Sequence, residues 1–306
     1  MNTLTEIFTS QPMNGTRLMP SLRQTVFATV FATAVLNTAP ASAETIKELA
    51  QHTHFHGIAF ARSGTAKLLL ATHHGLFAVD AEGSATQVSA IQDYMGFSPD
   101  PSNPLIYYSS GHPAGGGNSG FLKSADGGAT WTQVSAGAGG PVDFHQMDVS
   151  PADPATIYGI YGNVQVSHDG GANWSVAGPA PGQVIAIAAS VRDADSLYAA
   201  TKAGLEMSND GGKSWSGLAF NGEVVSTVET GADGALYAFV IGRGLMLGKD
   251  GETGGWPPLS NGFGEAIPLH MAVDPADGKH LALTTQNNEV LESHDGGKSW
   301  VAFAGQ

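Results

Sequence analysis

The chain of 306 residues carries 27 acidic and 13 basic side chains, a formal net charge of −14, and no cysteine. The lack of cysteine excludes disulfides and thiol chemistry, and the acidic balance argues against nucleic acid or anionic lipid as a partner. The chain contains 41 glycines, which is typical of a fold with many tight turns between short strands.

The N-terminal 43 residues have the pattern of a secretory signal peptide. Two arginines precede an apolar run over 26–36, and Ala41-Ser42-Ala43 forms a small-residue cleavage site. The run is too short to span a bilayer comfortably, and we predict no membrane span elsewhere. We therefore expect an exported protein, periplasmic or extracellular, with a leader over 1–43 and a mature domain over 44–306.

A short phrase recurs along the mature domain. It first reads Ser124-Ala125-Asp126-Gly127-Gly128-Ala129-Thr130-Trp131. Three further intact copies and one degenerate copy, which ends at Trp256, follow at intervals of 41 to 44 residues. A fixed period of this length indicates a repeat architecture. The Asp and Trp residues of the intact copies are Asp126, Trp131, Asp169, Trp174, Asp210, Trp215, Asp295 and Trp300.

The chemistry of the phrase is that of a stapled hairpin. Glycine adopts positive φ at no steric cost, and an Asp side chain accepts hydrogen bonds from backbone amides that follow it. The Trp then begins the next strand and buries a large ring. The phrase closely resembles the Asp-box (BNR) repeat of sialidases, sortilin-type receptors and photosystem II assembly-factor propellers. This resemblance implies β-propeller blades with the Asp boxes on one face, and it leaves the activity open.

In chain order, each repeat reads as four short strands separated by Pro, Asp and Gly turn signals. Blade 1 covers 54–88 and contains a decayed copy of the phrase. The later blades start at Tyr94, Val142, Val184, Glu223 and Ile267. We therefore predict an all-β fold, a single β-propeller of six four-stranded blades. Segment 46–49 is expected to add an outer strand to the last blade, or to belong to a seventh blade.

Propeller topology predicts that most histidines lie on one face. The starts of the innermost strands and the turns between the second and third strands share a face, here called the funnel face, opposite the Asp boxes. Imidazole is the commonest protein ligand for zinc, copper, iron and nickel. We therefore predict a transition-metal site, copper or zinc, on the funnel face. Its candidate ligands are His54, His56, His73, His74, His112, His145 and His270.

Other side chains near the same strand starts are candidates to complete this site. Thioethers favour copper(I), although methionine is also common core filler. Carboxylates can orient imidazoles from behind, although they also cap turns. The candidates are Met95, Met147, Met271, Asp93, Asp143 and Asp148. His168 and His294, in Asp boxes, and His280, on the opposite face, are interpreted as non-ligands.

The sequence argues against sialidase activity. That chemistry requires a cluster of arginines to bind the substrate carboxylate, and the mature domain contains only Arg62, Arg192 and Arg243. The first two follow innermost strands and are expected on the face opposite the funnel. Another glycosidase needs two carboxylates at a defined separation, and no spacing singles out a pair among Asp93, Asp143, Asp148 and Glu265.

Over 44–306 the chain is most similar to small exported bacterial Asp-box propellers, described as sialidase-like or glycosyl-hydrolase-like. The shared signature includes His54-Phe55-His56-Gly57, His73-His74-Gly75 and Ser110-Gly111-His112-Pro113. Three functions remain open. The first is metal binding for metal handling or redox chemistry. The second is a protein-binding scaffold of the photosystem II assembly-factor type, acting through the acidic surface. The third is a glycosidase-like, carbohydrate-active protein.

Overall fold

The computed structural model describes residues 43–305, so the predicted leader lies outside the described residues except for its last position. The described residues form six antiparallel sheets arranged as a β-propeller. The predictions of an all-β fold and of six blades are confirmed. Between residues 43 and 305, no helix is both long and apolar enough to cross a membrane.

The strands are as follows. Blade 1 contains β1 (Glu44–Thr45), β2 (Phe55–Phe60), β3 (Leu68–Thr72), β4 (Gly75–Val79) and β5 (Ser84–Gln87), with helix α1 (Ile46–Leu49) after β1. Blade 2 contains β6 (Asp93–Pro99), β7 (Tyr107–His112), β8 (Phe121–Ser124) and β9 (Thr132–Ser135). Blade 3 contains β10 (Gln146–Val149), β11 (Ile157–Tyr161), β12 (Asn163–Ser167) and β13 (Ser175–Pro179).

The second half of the ring repeats this pattern. Blade 4 contains β14 (Val184–Ala189), β15 (Leu197–Thr201), β16 (Gly204–Ser208) and β17 (Ser216–Ala219). Blade 5 contains β18 (Val225–Thr230), β19 (Ala235–Val240), β20 (Gly244–Lys249) and β21 (Pro258–Ser260). Blade 6 contains β22 (Pro268–Val273), β23 (Leu281–Thr285), β24 (Val290–Ser293) and β25 (Val301–Ala302), followed by a 3₁₀ turn over Phe303–Gly305.

The innermost strands β2, β6, β10, β14, β18 and β22 surround the central channel. Each contacts the next, and β22 contacts β2, so the ring is closed. Within every sheet the four blade strands pair in chain order. Each blade is therefore completed by its own continuous stretch of chain.

The prediction for segment 46–49 was wrong. Ile46–Leu49 forms a helical turn, and the strand before it, β1, pairs with β5 of blade 1 rather than with the last blade. The Thr45 hydroxyl accepts the Glu48 amide and the Glu48 carboxylate accepts the Thr45 amide, a capping box that starts a helix. Ile46 and Leu49 are fully buried in the cluster shared by blades 1 and 6.

Asn288 closes the ring between blades 6 and 1. Its side-chain amide donates to the carbonyl oxygens of Ala50 and Thr53, at 3.3 and 3.1 Å, and accepts from the Phe55 amide at 3.4 Å. Asn288 itself has a φ of +59°, in the left-handed region that Asn tolerates better than most residues. One turn of blade 6 thus holds the start of blade 1.

The recurring phrase forms the same turn in blades 2, 3, 4 and 6, between the third and fourth strands. In blade 3, the Ser167 hydroxyl donates to Asp169 at 2.9 Å and accepts the Gly171 amide at 2.9 Å. The second Asp169 oxygen accepts from the Asn173 side chain at 2.7 Å. The other three turns have the equivalent bonds. In each turn, a buried serine hydroxyl and an aspartate carboxylate therefore supply hydrogen bonds to groups within the same turn.

The degenerate copy in blade 5 serves a different purpose. Asp250 is fully buried and accepts from the Ser190 hydroxyl, at 2.9 Å, and from the Tyr198 hydroxyl, at 2.7 Å, both in blade 4. The carboxylate that staples a hairpin elsewhere therefore links two neighbouring blades here.

Candidate functional site

Three side chains meet on the funnel face where blades 1 and 2 adjoin. His56 lies in β2, His73 in the turn between β3 and β4, and Asp93 at the start of β6. The Nε2 atoms of His56 and His73 are 2.9 Å apart, and His73 Nδ1 lies 3.1 Å from Asp93 Oδ2. One ligand atom from each residue fits within 4.8 Å of the other two. We call this group centre 1.

The local fold presents His73. The Thr72 hydroxyl donates to the Gly75 carbonyl at 2.9 Å and accepts the His74 amide at 2.9 Å, which holds a tight two-residue turn. Gly75 has a φ of +134°, which an L side chain rarely adopts. His73 and His74 therefore project from one turn in different directions.

A second group of the same composition lies beside the first. His112 Nε2 is 3.1 Å from Asp143 Oδ2, and His145 Nε2 is 2.8 Å from the same oxygen. His112 ends β7, while Asp143 and His145 flank Phe144 just before β10. We call this group centre 2. Asp93 and His112 are direct cross-strand partners between β6 and β7, so the two centres are neighbours.

Hydrogen bonds assign tautomers to two of these rings. His112 Nδ1 lies 2.8 Å from the Gly117 carbonyl, an acceptor, so this nitrogen carries a proton. In the neutral ring, His112 Nε2 then directs a lone pair at a carboxylate oxygen. That contact is attractive only if the ring gains a second proton or if a cation lies between the two atoms. The Nδ1 of His73 faces the Asp93 carboxylate, an acceptor, so this nitrogen carries the proton of the neutral ring. The Nε2 of His73 then directs its lone pair at His56.

Each centre contains a carboxylate that is only half used. Asp93 Oδ1 and Asp143 Oδ1 are buried and have no hydrogen-bond partner. A buried acceptor without a partner costs about 1–3 kcal/mol or more if charged. The two imidazoles and the carboxylate of each centre fit one bound cation.

Burial and neighbouring imidazoles tune the acid–base chemistry of the face. Burial lowers the pKa of His56 to about 3, and the nearby His73, His270, His145 and His54 rings add to this effect. His56 is therefore neutral at physiological pH. The hydrogen bond that the His145 ring donates to the Asp143 carboxylate raises the pKa of His145. Burial alone would raise the pKa of Asp143, but His145 and His112 lower it overall.

His270 lies in the channel, just below centre 1. Strands β2, β14, β18 and β22 share a register shift near their starts. Gly57 is the first residue after the shift in β2, and His270 is the first residue after it in β22, so the two residues occupy equivalent positions. His270 is thus offset by one residue from His56 along the innermost strands. Burial lowers the pKa of His270 to about 4, against an opposing effect of the Phe55 backbone.

The other two predicted ligands lie outside both centres. The His54 ring is 5.9 Å from the His73 ring, edge-on, and its Nδ1 is 3.4 Å from the Asn288 side chain. His74 turns away and lies beside His52, with ring centroids 6.0 Å apart. The structure therefore brings together four of the seven predicted histidines, places His54 and His270 next to them, and separates His74.

The predicted methionines and one carboxylate have other surroundings. Met147 and Met271 are buried members of hydrophobic clusters, and Met95 is equally buried. Asp93 and Asp143 contact imidazoles. Asp148 lines the channel, where its carboxylate accepts from the Ser98 hydroxyl at 3.0 Å and the Ala189 amide at 2.8 Å.

The channel contains a carboxylate that sequence reasoning missed. Glu229 lies on β18 and lines a cavity of about 430 Å³ together with Asp148 and His270. Burial, and then the Asp148 charge, raises the pKa of Glu229 well above its ordinary value. Burial also raises the pKa of Asp148. A lone Glu in the otherwise uncharged strand Val225–Thr230 was the available signal.

The three arginines of the domain bind separate partners. Arg62 donates to the carbonyl oxygens of Asp100 and Asn103, at 2.5 and 2.8 Å. The guanidinium groups of the other two lie near acidic side chains, Arg192 at 4.0 Å from Asp250 and Arg243 at 2.6 Å from Glu223. These contacts do not form the arginine cluster that sialidase chemistry requires.

No protein-family model matches the chain, and no curated protein matches its sequence. Solved structures share its fold. A GH74 enzyme from Niastella koreensis is 18% identical with a TM-score of 0.59, over 82% of this chain and 45% of that chain. A gluconolactonase from Xanthomonas campestris is 14% identical with a TM-score of 0.58, over 77% and 84%. YCF48 from Cyanidioschyzon merolae is 16% identical with a TM-score of 0.53, over 82% and 84%.

At such identities the likeness establishes the β-propeller fold and nothing finer. The chain spans less than half the length of the GH74 enzymes from Niastella koreensis and Xanthomonas campestris.

Proposed function

We propose that this propeller binds transition-metal ions on its funnel face, in centres 1 and 2, and that it serves in metal handling or redox chemistry. The observation that carries the proposal is the pair of equivalent His-Asp-His groups, each with one buried carboxylate oxygen that lacks a partner. A solvated channel mouth accounts for scattered polar residues. It does not account for two neighbouring groups of the same three ligands.

The donor set selects the class of metal. Two imidazoles and one carboxylate suit zinc and copper(II), whereas copper(I) prefers sulfur ligands. With Met147 and Met271 packed in hydrophobic clusters, the ligands of both centres are nitrogen and oxygen. Three protein ligands leave a coordination position open for water, a substrate or a transfer partner. Asp93 and Asp143 would act either as ligands or as groups that orient the rings.

Adjacent histidines provide a matched test. Untagged protein is stripped with a chelator, loaded with Zn²⁺ or Cu²⁺, desalted and subjected to elemental analysis. His73→Ala removes a ligand of centre 1, while His74→Ala changes the next residue of the same turn without touching either centre. We expect His73→Ala to lose one equivalent of metal relative to wild type and His74→Ala to lose none. Equal metal content in the two variants would contradict the proposal.

A specific observation also favours the glycosidase-like alternative. Asp148 and Glu229 share the channel cavity, and the pKa of Glu229 is well above its ordinary value. A protonated carboxylic acid beside a carboxylate is the pairing that glycoside hydrolysis uses. The test is a panel of glycosides assayed with chelator present, comparing wild type with Glu229→Gln. Hydrolysis that survives the chelator and disappears in the variant would favour this alternative.

Partner binding through the acidic surface remains a prediction. Metal-free protein used as bait for a periplasmic extract tests it, with a single stoichiometric partner as the expected result.

A further inference from the structure

A third group of ligand-type side chains lies on the opposite face, in blade 6. It consists of His280 before β23, Glu292 in β24 and His294 after β24. We propose that these three residues form a separate binding site for a divalent transition metal of the zinc type.

The separations match a coordination shell. Glu292 Oε2 is 3.2 Å from His280 Nε2 and 3.1 Å from His294 Nε2, and the three ligand atoms lie within 4.8 Å of one another. Ligand atoms of a tetrahedral zinc ion at bond lengths of about 2.0–2.1 Å are about 3.3 Å apart. Small side-chain rotations therefore bring all three ligand atoms to bonding distance. The two rings stack with centroids 4.2 Å apart and an interplanar angle of 22°.

The surroundings hold His280 in place and leave one side open. Asp274 Oδ2 lies 3.6 Å from His280 Nδ1, the nitrogen that does not face Glu292. This distance is slightly longer than a hydrogen bond, and a carboxylate that closes to hydrogen-bond distance behind a ligating imidazole would fix its tautomer and strengthen it as a ligand. The Phe60 ring packs edge-on against His280 at 4.6 Å. All three ligands border a cavity of about 860 Å³, through which an ion and a further ligand can enter.

The repeat supplies an internal comparison. Leu281 pairs with Ser293 at the end of the β23–β24 ladder, and extending that register by one residue sets His280 opposite His294. Side chains at 292 and 294 share a face because strand side chains alternate. The same three positions in blade 3 hold Thr156, Val166 and His168, and the Thr156 hydroxyl lies 3.1 Å from His168 Nδ1.

In blade 4 the three positions hold Ser196, Met207 and Asn209, and in blade 2 they hold Ile106, Lys123 and Ala125. In blades 2, 3 and 4 the turn therefore forms without a set of metal-ligand side chains at these three positions. Only blade 6, among the four blades with an intact turn, has three metal-ligand side chains there.

Zn²⁺ titration of the metal-free protein, monitored by competition with a chromophoric chelator, tests this site. His294→Ala and Glu292→Gln are each expected to lose one equivalent of Zn²⁺ relative to wild type. Asp274→Asn should keep the equivalent and bind it about tenfold more weakly. His168→Ala, the same turn position in blade 3, is the matched control and should bind as wild type does.

The test of this blade 6 site does not depend on whether centres 1 and 2 bind metal. In the His56→Ala/His145→Ala background, the equivalent removed by His294→Ala should still be present. If the funnel centres bind no metal, wild type binds the single equivalent that His294→Ala abolishes. The inference is overturned if His294→Ala and Glu292→Gln, both shown to be folded by circular dichroism, bind as much Zn²⁺ as His168→Ala.

Discussion

The two faces of the ring treat carboxylates in opposite ways. In the recurring turns, Asp126, Asp169, Asp210 and Asp295 accept hydrogen bonds on both oxygens from residues within four positions in the chain. On the funnel face, Asp93 and Asp143 contact imidazoles through one oxygen and leave the other buried and unpartnered.

This difference separates scaffold from site. A group that recurs in four blades with the same local partners stabilises the hairpin to which it belongs. The carboxylates of centres 1 and 2 occur only on the funnel face, contact imidazoles from other loops and keep one oxygen without a partner. These are the properties expected of a ligand-binding site. The comparison predicts that changes to the serines and aspartates of the turns alter stability without altering metal content. Changes to the funnel-face ligands should alter metal content without altering the stability of the metal-free protein.

The largest expected effect is that of metal on stability. An ion at about one hundred times its Kd raises the free energy of unfolding by about 2.7 kcal/mol per site. Urea unfolding with and without Zn²⁺ should show this gain in wild type, and chelator should reverse it. In His56→Ala/His145→Ala the gain from the two funnel centres should be absent while the metal-free protein stays folded. A double variant as strongly stabilised by Zn²⁺ as wild type would break the comparison.

Next in size is the loss of a turn serine. Ser167 is buried and its hydroxyl accepts the buried Gly171 amide, so Ser167→Ala leaves a donor without a partner. We expect the free energy of unfolding to fall by about 1–3 kcal/mol, with unchanged Zn²⁺ stoichiometry. Ser175→Ala, at an exposed position in the same blade, should change it by less than about 0.5 kcal/mol. A loss of bound metal in Ser167→Ala would show that the two faces are not independent.

The channel carboxylates between the faces predict a pH effect. A carboxyl whose pKa is raised by folding stabilises the protein below its ordinary pKa, and this contribution is lost as the pH rises. Wild-type stability should therefore fall between pH 5 and pH 8. Glu229→Gln removes the titrating group, so at pH 8 it should be more stable than wild type, and the difference should shrink towards pH 5.

Chemical unfolding at the two pH values measures this difference. Glu82→Gln, at an exposed loop position, is the control and should follow wild type at both. A Glu229→Gln variant with the same pH dependence as wild type would contradict the raised pKa.

The smallest expected effect distinguishes two copies of the turn. The Trp174 indole N–H donates to the Gly171 carbonyl and to the Ser135 hydroxyl, both at 3.0 Å. The Trp215 indole nitrogen is buried without a partner. Trp174→Phe should therefore cost about 1 kcal/mol more than Trp215→Phe. Equal costs in thermal unfolding would mean that the indole hydrogen bonds contribute nothing measurable.

The fold was predictable because its signals are local and repeated. The Asp-Gly-Gly turns and the Trp spacing mark four blades directly, and the alternation of short apolar runs marks the other two. Faces follow from topology alone, which is why the seven funnel histidines could be assigned to one side of the ring. The helix Ile46–Leu49 was missed because a capping box over four residues outweighed an apolar pattern that fits a strand equally well.

The details of the sites were less accessible. The sequence does not specify which of two adjacent imidazoles, His73 or His74, a tight turn directs inward. The Asp148 carboxylate bridges strands of three blades, and such contacts depend on how the blades pack. The group on blade 6 was missed for a different reason, since His280 and His294 were judged singly, although they flank the paired residues Leu281 and Ser293 and their rings stack.

The completion of each blade by a continuous stretch of chain also bears on how such a ring can change over time. A gene duplication or deletion of about one repeat adds or removes an entire sheet without leaving a strand orphaned elsewhere. Propellers of this type can therefore acquire a new set of loops on one face while the hairpins on the other continue to fold as before.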